Sequence, residues 1–263
     1  MKLLHEPLSG QRQVVLGVVG VVGTAAVWEG VIRSGLLDVP GLPLPSGVVR
    51  GVGDLLPDST FWDAVVFTLG EWMLGLAIAA VVGVLVGGLM GAFRSAFLVF
   101  EWPVEAFRVL PSVAVGPILV LVIGQGRLPL SLTVALACVW PVLLNTMYGV
   151  RSTDTTAVMT AKTFGYGGLA VLRSIKIPSA LPFAYTGVRI AASIGLLVAV
   201  SAELLIGNGS GIGGYILSNT ANATNLDLVY AATLVAGVLG VTVNLVMAKL
   251  DDVLFGWKKG LAQ

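Results

Sequence analysis

The pattern of hydrophobic and polar positions divides this chain into long apolar runs separated by polar stretches. A helix that crosses a bilayer needs about 20 predominantly apolar residues. Six segments meet that pattern, at about residues 14–32, 64–93, 107–123, 128–150, 181–206 and 228–250. The third contains Pro111 and Pro117. Proline is tolerated in a membrane helix when neighbours re-satisfy the freed carbonyls, so a kinked helix buried in the bundle is expected there. Residues 34–63 are rich in Pro, Gly and Asp and include PGLPLPSG at 40–47, which predicts an extended surface connection. Residues 207–227 contain NGSGIGG and NTANATN, a density of Gly and Asn that predicts turns and a re-entrant piece. No repeat of 20–50 residues, heptad run or low-complexity tail occurs.

Composition excludes the soluble alternative. Of 263 residues, 56% are hydrophobic and 11% charged, with a mean hydropathy of +0.95; soluble domains carry about 25% charged residues. The expectation is an all-α integral membrane protein forming a single transmembrane domain over residues 1–263. The first dozen residues are not a clean secretory signal, because the apolar run after Arg12 is long and lacks an obvious small-residue cleavage site; that run is read as a retained span. The net charge of +1 gives no reason to expect nucleic acid or another acidic macromolecule as partner.

Lys and Arg placement sets the orientation. Six spans put both termini on one side, and twelve basic residues fall there: Lys2, Arg12, Arg94, Arg108, Arg151, Lys162, Arg173, Lys176, Arg189, Lys249, Lys258 and Lys259. The other side has Arg33, Arg50 and Arg127. Both termini and the polar segment around residues 154–178 are therefore assigned to the cytoplasm.

Few residues point to chemistry. Cys138 lies in an apolar run and reads as a small buried hydrophobe; His5 lies in the polar N-terminal tail. No phosphate-binding loop, HExxH, CxxC or EF-hand pattern is present, so neither a nucleotide, a metal nor a catalytic role is expected. Gly83, Gly87 and Gly91 recur every four residues on one helix face and permit close packing, within the chain or against a second subunit. Ionisable groups inside lipid are costly and point to function. Glu203, in VSAELLIG, is either an anchored acid bonded to backbone or a helix end, or a pathway or gate residue. Ser112, Asn145 and Ser201 are further candidates for a polar pathway, with Thr146 and Ser193. Glu29 and Glu71 lie toward span ends and are expected to reach the interface.

The segment 159–178, MTAKTFGYGGLAVLRSIKIP, is too charged for lipid and patterned throughout. Ala161, Gly165, Ile175, Ile177 and Pro178 occur at the spacing of the cytoplasmic EAA loop, so the segment resembles the coupling loop of ABC importer permeases. The resemblance extends through Leu42–Ser46, Leu110–Pro111, Pro117, Gly124 with Gly126, Pro141, Asn145–Thr146, Gly149, Pro182, Gly187, Arg189, Ala202–Glu203 and the Gly211–Tyr215 turn. In that order these are similar to the nitrate, taurine and alkanesulfonate branch.

The resemblance implies a type I importer permease fold, with the 154–178 segment as a pair of short helices resting on a separate ATPase. Ala161 and Gly165 would allow close helix approach, with Leu169, Leu172, Ile175 and Ile177 as apolar anchors. Lys162, Arg173 and Lys176 would form the polar rim, and Pro178 would end the segment. Met159 and Thr160 stand where the family most often has Glu and Ala, so the contact made by that Glu is missing here. The implied partners are ABC ATPase subunits that bind ATP and Mg, a second permease copy or a homologous permease, and an extracytoplasmic solute-binding protein. The implied solute is a small anion: a sulfonate, nitrate, an aromatic acid, or else a vitamin precursor. A stand-alone channel or secondary transporter is the alternative reading.

Overall fold

The computed structural model describes residues 10–256 except 38, 40, 207, 208 and 222–224. His5, Lys2, Lys258 and Lys259 lie outside the described residues. All regular structure among the described residues is helical: α1 (Gly10–Arg33), α2 (Pro45–Leu55), α3 (Ser59–Ala92), α4 (Arg94–Phe107), α5 (Ser112–Ile123) and α6 (Arg127–Arg151). These are followed by α7 (Thr155–Thr163), α8 (Gly168–Val171), a π-helical turn (Leu172–Lys176), α9 (Ile177–Ile206), α10 (Gly211–Ala221) and α11 (Leu226–Phe255).

The core is three long helices, α3, α6 and α9, and its tightest seam follows from sequence. Gly75, Ala79, Gly83, Gly87 and Gly91 occur every four residues along α3, so they share one face. A Cβ on Gly75 would meet Val134, on Gly83 the Val142 side chain at 2.8 Å, and on Gly91 that of Val150 at 2.6 Å. On Gly87 it would strike the Leu143 carbonyl. The glycine stripe is thus consumed by α6 of the same chain. Small residues drive such contacts in lipid, where packing rather than water exclusion brings helices together.

The helix α9 fits into the groove of this pair. Gly187 lies against Pro141 and Val142, Gly149 against Ala180 and Phe183, and Gly195 against Cys138 and Trp72. The Trp72 indole N–H donates to the Ala192 carbonyl at 2.9 Å and the Cys138 thiol to that of Ala191 at 3.2 Å. Trp72, Val134, Cys138, Val142 and Leu196 form the centre of the main apolar cluster.

These contacts fix direction. Residues 75 to 91 of α3 meet residues 131 to 150 of α6 in ascending order, so the two helices are parallel. The chain between them must return across the membrane. It does so in two pieces: α4 and α5 meet at 93°, with the break at residues 108–111. This corrects the single kinked span expected over 107–123. Pro111 starts the new helix from an extended conformation, and α5, at 12 residues, reaches only about 18 Å. That is short of the roughly 30 Å hydrocarbon core. Gly124 and Gly126, with φ of 96° and 134°, carry the chain on in conformations open to glycine. Among the described residues, five helices are long and apolar enough to cross alone, six if the bent pair counts as one span.

Residues 34–63 are not merely an extended connection, a second correction. Pro45 starts α2, its fixed φ suiting a first helical turn. Gly51 lies against the Asp227 carbonyl and Ala231 of α11, and Leu55 is buried. Glu29 pairs with Arg33 at 2.6 Å and accepts the Ser46 N–H at 2.9 Å, tying the end of α1 to the start of α2. The apolar body of α1 is otherwise uncovered.

The α3–α6 seam yields a direct test. Gly87→Ala forces a methyl onto backbone, an overpacking that costs about 1–3 kcal/mol, and should lower the melting temperature of the purified protein by several degrees. Gly88→Ala, where a Cβ meets nothing within 4 Å, should leave it unchanged.

Candidate functional site

The polar 154–178 segment begins where α6 ends. Asp154 caps α7 by accepting the Thr156 N–H at 2.8 Å. The end of α7 is a Schellman motif: Gly165 N–H donates to the Lys162 carbonyl at 2.9 Å and Tyr166 N–H to that of Ala161 at 3.0 Å. Gly165 sits at φ 83°, and a Cβ there would meet nothing within 4 Å. Its glycine serves the left-handed turn, not the close helix approach expected from its spacing to Ala161. Ala161 itself is buried, as is Val171 of α8.

Pro178 does not end the segment, contrary to expectation. Helix runs continuously from Gly168 to Ile206 through the π turn, where Ile177 N–H donates back to the Leu172 carbonyl. Pro178 has no N–H to donate, and the widened turn just before it absorbs the mismatch. The expected apolar anchors separate. Leu169 is 79% exposed and Ile177 half exposed, while Leu172 and Ile175 are partly buried. Leu172 and Ile177 help line an apolar groove of about 260 Å³ with Leu89, Ala180 and Ala184. Lys162 and Arg173 are exposed and Lys176 partly so. Sequence reasoning missed Phe164 and Tyr166 and read Met159 only as a departure from the family pattern; Met159, Phe164 and Tyr166 are 68%, 79% and 50% exposed on the same short segment as Leu169. Their placement depends on the reversal at Gly165, which brings α8 back beside α7.

At the opposite end of α9, Glu203 is fully buried. Its carboxylate accepts the Thr68 hydroxyl at 2.6 Å and the Gly213 N–H at 2.7 Å. Thr68 Oγ1 in turn accepts the Ile212 N–H at 2.9 Å. Glu203 and Thr68 thus satisfy the first amides of α10, where a helix N-terminus favours negative charge. Gly211, at φ 74°, has no room for a Cβ against this carboxylate. One residue of α3 and one of α9 therefore pin α10 in place. Glu71, expected at the interface, is instead completely buried, and no donor reaches either of its oxygens.

The other pathway candidates bond locally. Asn145 Nδ2 donates to the Pro141 carbonyl at 2.8 Å and Ser201 Oγ to that of Leu197 at 2.8 Å, each within its own helix. Ser112 is partly buried at the start of α5. Cys138, at the centre of the core, matches its reading as a small hydrophobe.

A second tie secures α10. The Tyr215 hydroxyl donates to Asp58, the N-cap of α3, at 2.8 Å. That bond is the main cause holding the Asp58 carboxyl below the usual aspartate range. Burial first, and Asp58 second, push Tyr215 up to about 12. The sign follows for each group. Stability from Asp58 is present above its unfolded pKa of about 3.9 and is lost as pH falls through the lowered folded value. Stability from Tyr215 is present below its unfolded pKa of about 10 and lost as pH rises through about 12. Tyr215→Phe should cost about 0.5–1 kcal/mol at neutral pH, since Asp58 is partly solvated. It should also flatten the melting temperature at both pH extremes, measured by thermal unfolding across pH.

Comparison with known proteins matches this arrangement to one family. Residues 60–255 match the family described as binding-protein-dependent transport system inner membrane component. The chain is 28% identical to the putative aliphatic sulfonates transport permease protein of Escherichia coli, over 90% of this chain and 89% of the relative. It is 28% identical to the taurine transport system permease protein of the same organism, over 95% and 92%. It is 26% identical to the bicarbonate transport system permease protein of Synechococcus elongatus, over 82% and 80%. With three quarters of its length matched, from the start of α3 to the end of α11, the chain belongs to the family of binding-protein-dependent transport system inner membrane components and is a multi-pass membrane transport subunit.

Proposed function

We propose that this chain is one transmembrane half of an ATP-driven ABC importer for a small anionic solute. The observation that carries the reading is the α7–α8 surface. Met159, Phe164, Tyr166 and Leu169 are exposed on a segment too charged to lie in lipid, with Lys162 and Arg173 exposed in the same stretch. Apolar side chains in water at such density mark a protein contact. An apolar centre with a charged rim suits docking in a groove of an ATPase. In this reading the missing acid of the EAA pattern, at Met159, is replaced by packing.

The rest of the assembly follows from the family. A second copy, or a homologous permease, completes the pathway. ATP and Mg reside in the ATPase subunits, and a solute-binding protein meets the face where α10 lies. The chain is a bistable element, and ATP binding supplies the free energy that moves it. The basic side, with both termini and α7–α8, is cytoplasmic. The anionic solute is favoured by the relatives, two of which are named for sulfonates and bicarbonate. Glu203 is structural here: enclosed by Thr68 and Gly213, it leaves no bare carboxylate to repel an anion.

The test is purification of the tagged protein from its native membrane, followed by ATP hydrolysis with and without the binding protein. A co-purifying ATPase stimulated by the binding protein is expected. A protein that emerges alone, with solute flux indifferent to ATP, would sink the reading. Gly165→Val strains the turn by about 1–3 kcal/mol and should reduce stimulated hydrolysis at least several-fold while membrane insertion is retained and the melting temperature falls by no more than in Gly87→Ala. Phe164→Ser with Leu169→Ser should weaken ATPase retention during purification.

A further inference from the structure

The Glu71 side chain has no place in the preceding account. It lies in α3, one turn before Gly75 on the face that packs on α6. It is fully buried, and neither oxygen receives an N–H or hydroxyl donor. An ionised carboxylate in that state is among the costliest things a protein can bury. Thr68, three residues before it on the same face of α3, bonds the Glu203 carboxylate at 2.6 Å, which sets the two carboxyls side by side. Two carboxylates offer each other only acceptors. A hydrogen bond between them requires a proton.

We propose that Glu71 and Glu203 share a single proton, which closes a polar latch holding α10 against α3 and α9.

The surroundings assign the proton to Glu71. Glu203 accepts from the Thr68 hydroxyl and the Gly213 amide, bonds that favour its charged form. Glu71 accepts none, so the neutral acid costs least there. As the neutral acid it donates to Glu203 and adds a further bond to the group that caps α10.

Other charged groups do not substitute for the proton. Arg127 of α6 is the nearest cation, but it makes no ion pair with Glu71; its guanidinium lies 4.9 Å from the Phe67 ring centroid. The one titratable group of α10, Tyr215, donates to Asp58. On α11, Asp227 faces Gly47 and Tyr230 donates to the Gly41 carbonyl. The helix α5 has no titratable residue. Loss of the proton would leave two anions side by side in a closed site.

The test uses the full-length chain in lipid nanodiscs and needs neither solute nor ATPase, so it stands or falls apart from the transport reading. Infrared spectra of the wild type at neutral pH should contain the carbonyl stretch of a buried protonated carboxylic acid, absent from Glu71→Gln. Thermal stability of the wild type should fall by several degrees from neutral to alkaline pH. Glu71→Gln mimics the neutral acid and should match or exceed the wild type at neutral pH and stay level as pH rises. Glu203→Gln, which has one acceptor where α10 and Thr68 need two, should be less stable at every pH. Absence of the protonated band in the wild type would overturn the proposal, and that measurement depends on no variant. So would a Glu71→Gln protein as unstable as Glu203→Gln. Stabilisation of the wild type by sodium at fixed pH, lost in Glu71→Gln, would place a cation rather than a proton between the carboxyls and equally overturn it.

Discussion

The architecture depends on the backbone-to-backbone approach of α3 and α6 along a stripe of small residues. No water-driven collapse operates between helices already dissolved in lipid, so surfaces that fit have to supply the association. Five small residues at four-residue spacing, from Gly75 to Gly91, give α3 a flat face of about 24 Å, and α6 fills it with Val134, Val142, Leu143 and Val150. Because the two run parallel, the chain between them is forced back across the bilayer, which the broken α4–α5 pair accomplishes. Because they touch so closely, the groove along their seam is narrow. The helix α9 enters it only through small residues of its own, Gly187 and Gly195. Setting α9 antiparallel then brings Glu203 to Thr68 and Glu71, residues more than 130 positions away in sequence.

The broken third crossing illustrates how membrane constraints shape irregular structure. Non-helical backbone at membrane depth is tolerated only where protein or a water-filled cavity satisfies it. The turn at residues 108–111 is held by local bonds, Arg108 N–H to the Val104 carbonyl and Leu110 N–H to that of Phe107. Arg108 pairs with Glu105 at 2.8 Å. An amphipathic α4 can then lie across the end of the bundle, with Val104 buried against Met90 and Met147.

The spans and the glycine stripe were legible in the chain because both are periodic, and periodicity survives without tertiary context. Span boundaries were less so: α3 begins at Ser59, capped by Asp58, five residues before the apolar run suggested. The α2 helix was hidden by its Pro and Gly content, since Pro45 at a helix start reads the same as Pro in a loop. Glu71 could have been read correctly. It stands at the next four-residue step before Gly75, on the face that the stripe itself marks as buried. The Gly165–Pro178 spacing identified the coupling-type segment, but not which side chains it turns outward. That depends on one positive φ at Gly165 and one π turn, and neither leaves a periodic trace. For Asn145 and Ser201 the sequence is ambiguous for a general reason. A Ser or Asn within a membrane helix satisfies itself on the preceding turn's carbonyl, and composition cannot distinguish that from lining a channel.

The two polar regions stand at opposite ends of one element. From the π turn at Leu172–Lys176 to Glu203, a continuous helix joins the charged α7–α8 surface to the carboxylate that caps α10. A helix of that length is stiff along its axis, so a push at one end arrives at the other as a shift or a tilt rather than being absorbed. The π turn is the soft point, and such turns recur at functional positions because they permit a small change of helical register. At the far end no slack exists. Gly211 and Gly213 meet Glu203 with no space for even a methyl group, so any displacement of Glu203 along the axis of α9 must either carry α10 with it or break the bond to Gly213. In either case the bond that Thr68 of α3 makes to Glu203 must open, and in the first its bond to the Ile212 N–H opens too. Those bonds are short and buried, and breaking them leaves amides unsatisfied at a cost of about 1–3 kcal/mol each. Moving α10 with α9 keeps the Glu203–Gly213 bond and gives up the ties to α3, which are the Thr68 bonds and the partly solvated bond of Tyr215 to Asp58. The geometry therefore favours α10 as the piece that moves when α9 does, with the ties to α3 at Thr68 and Asp58 as the contacts that give way and the Glu203–Gly213 bond as the one that holds.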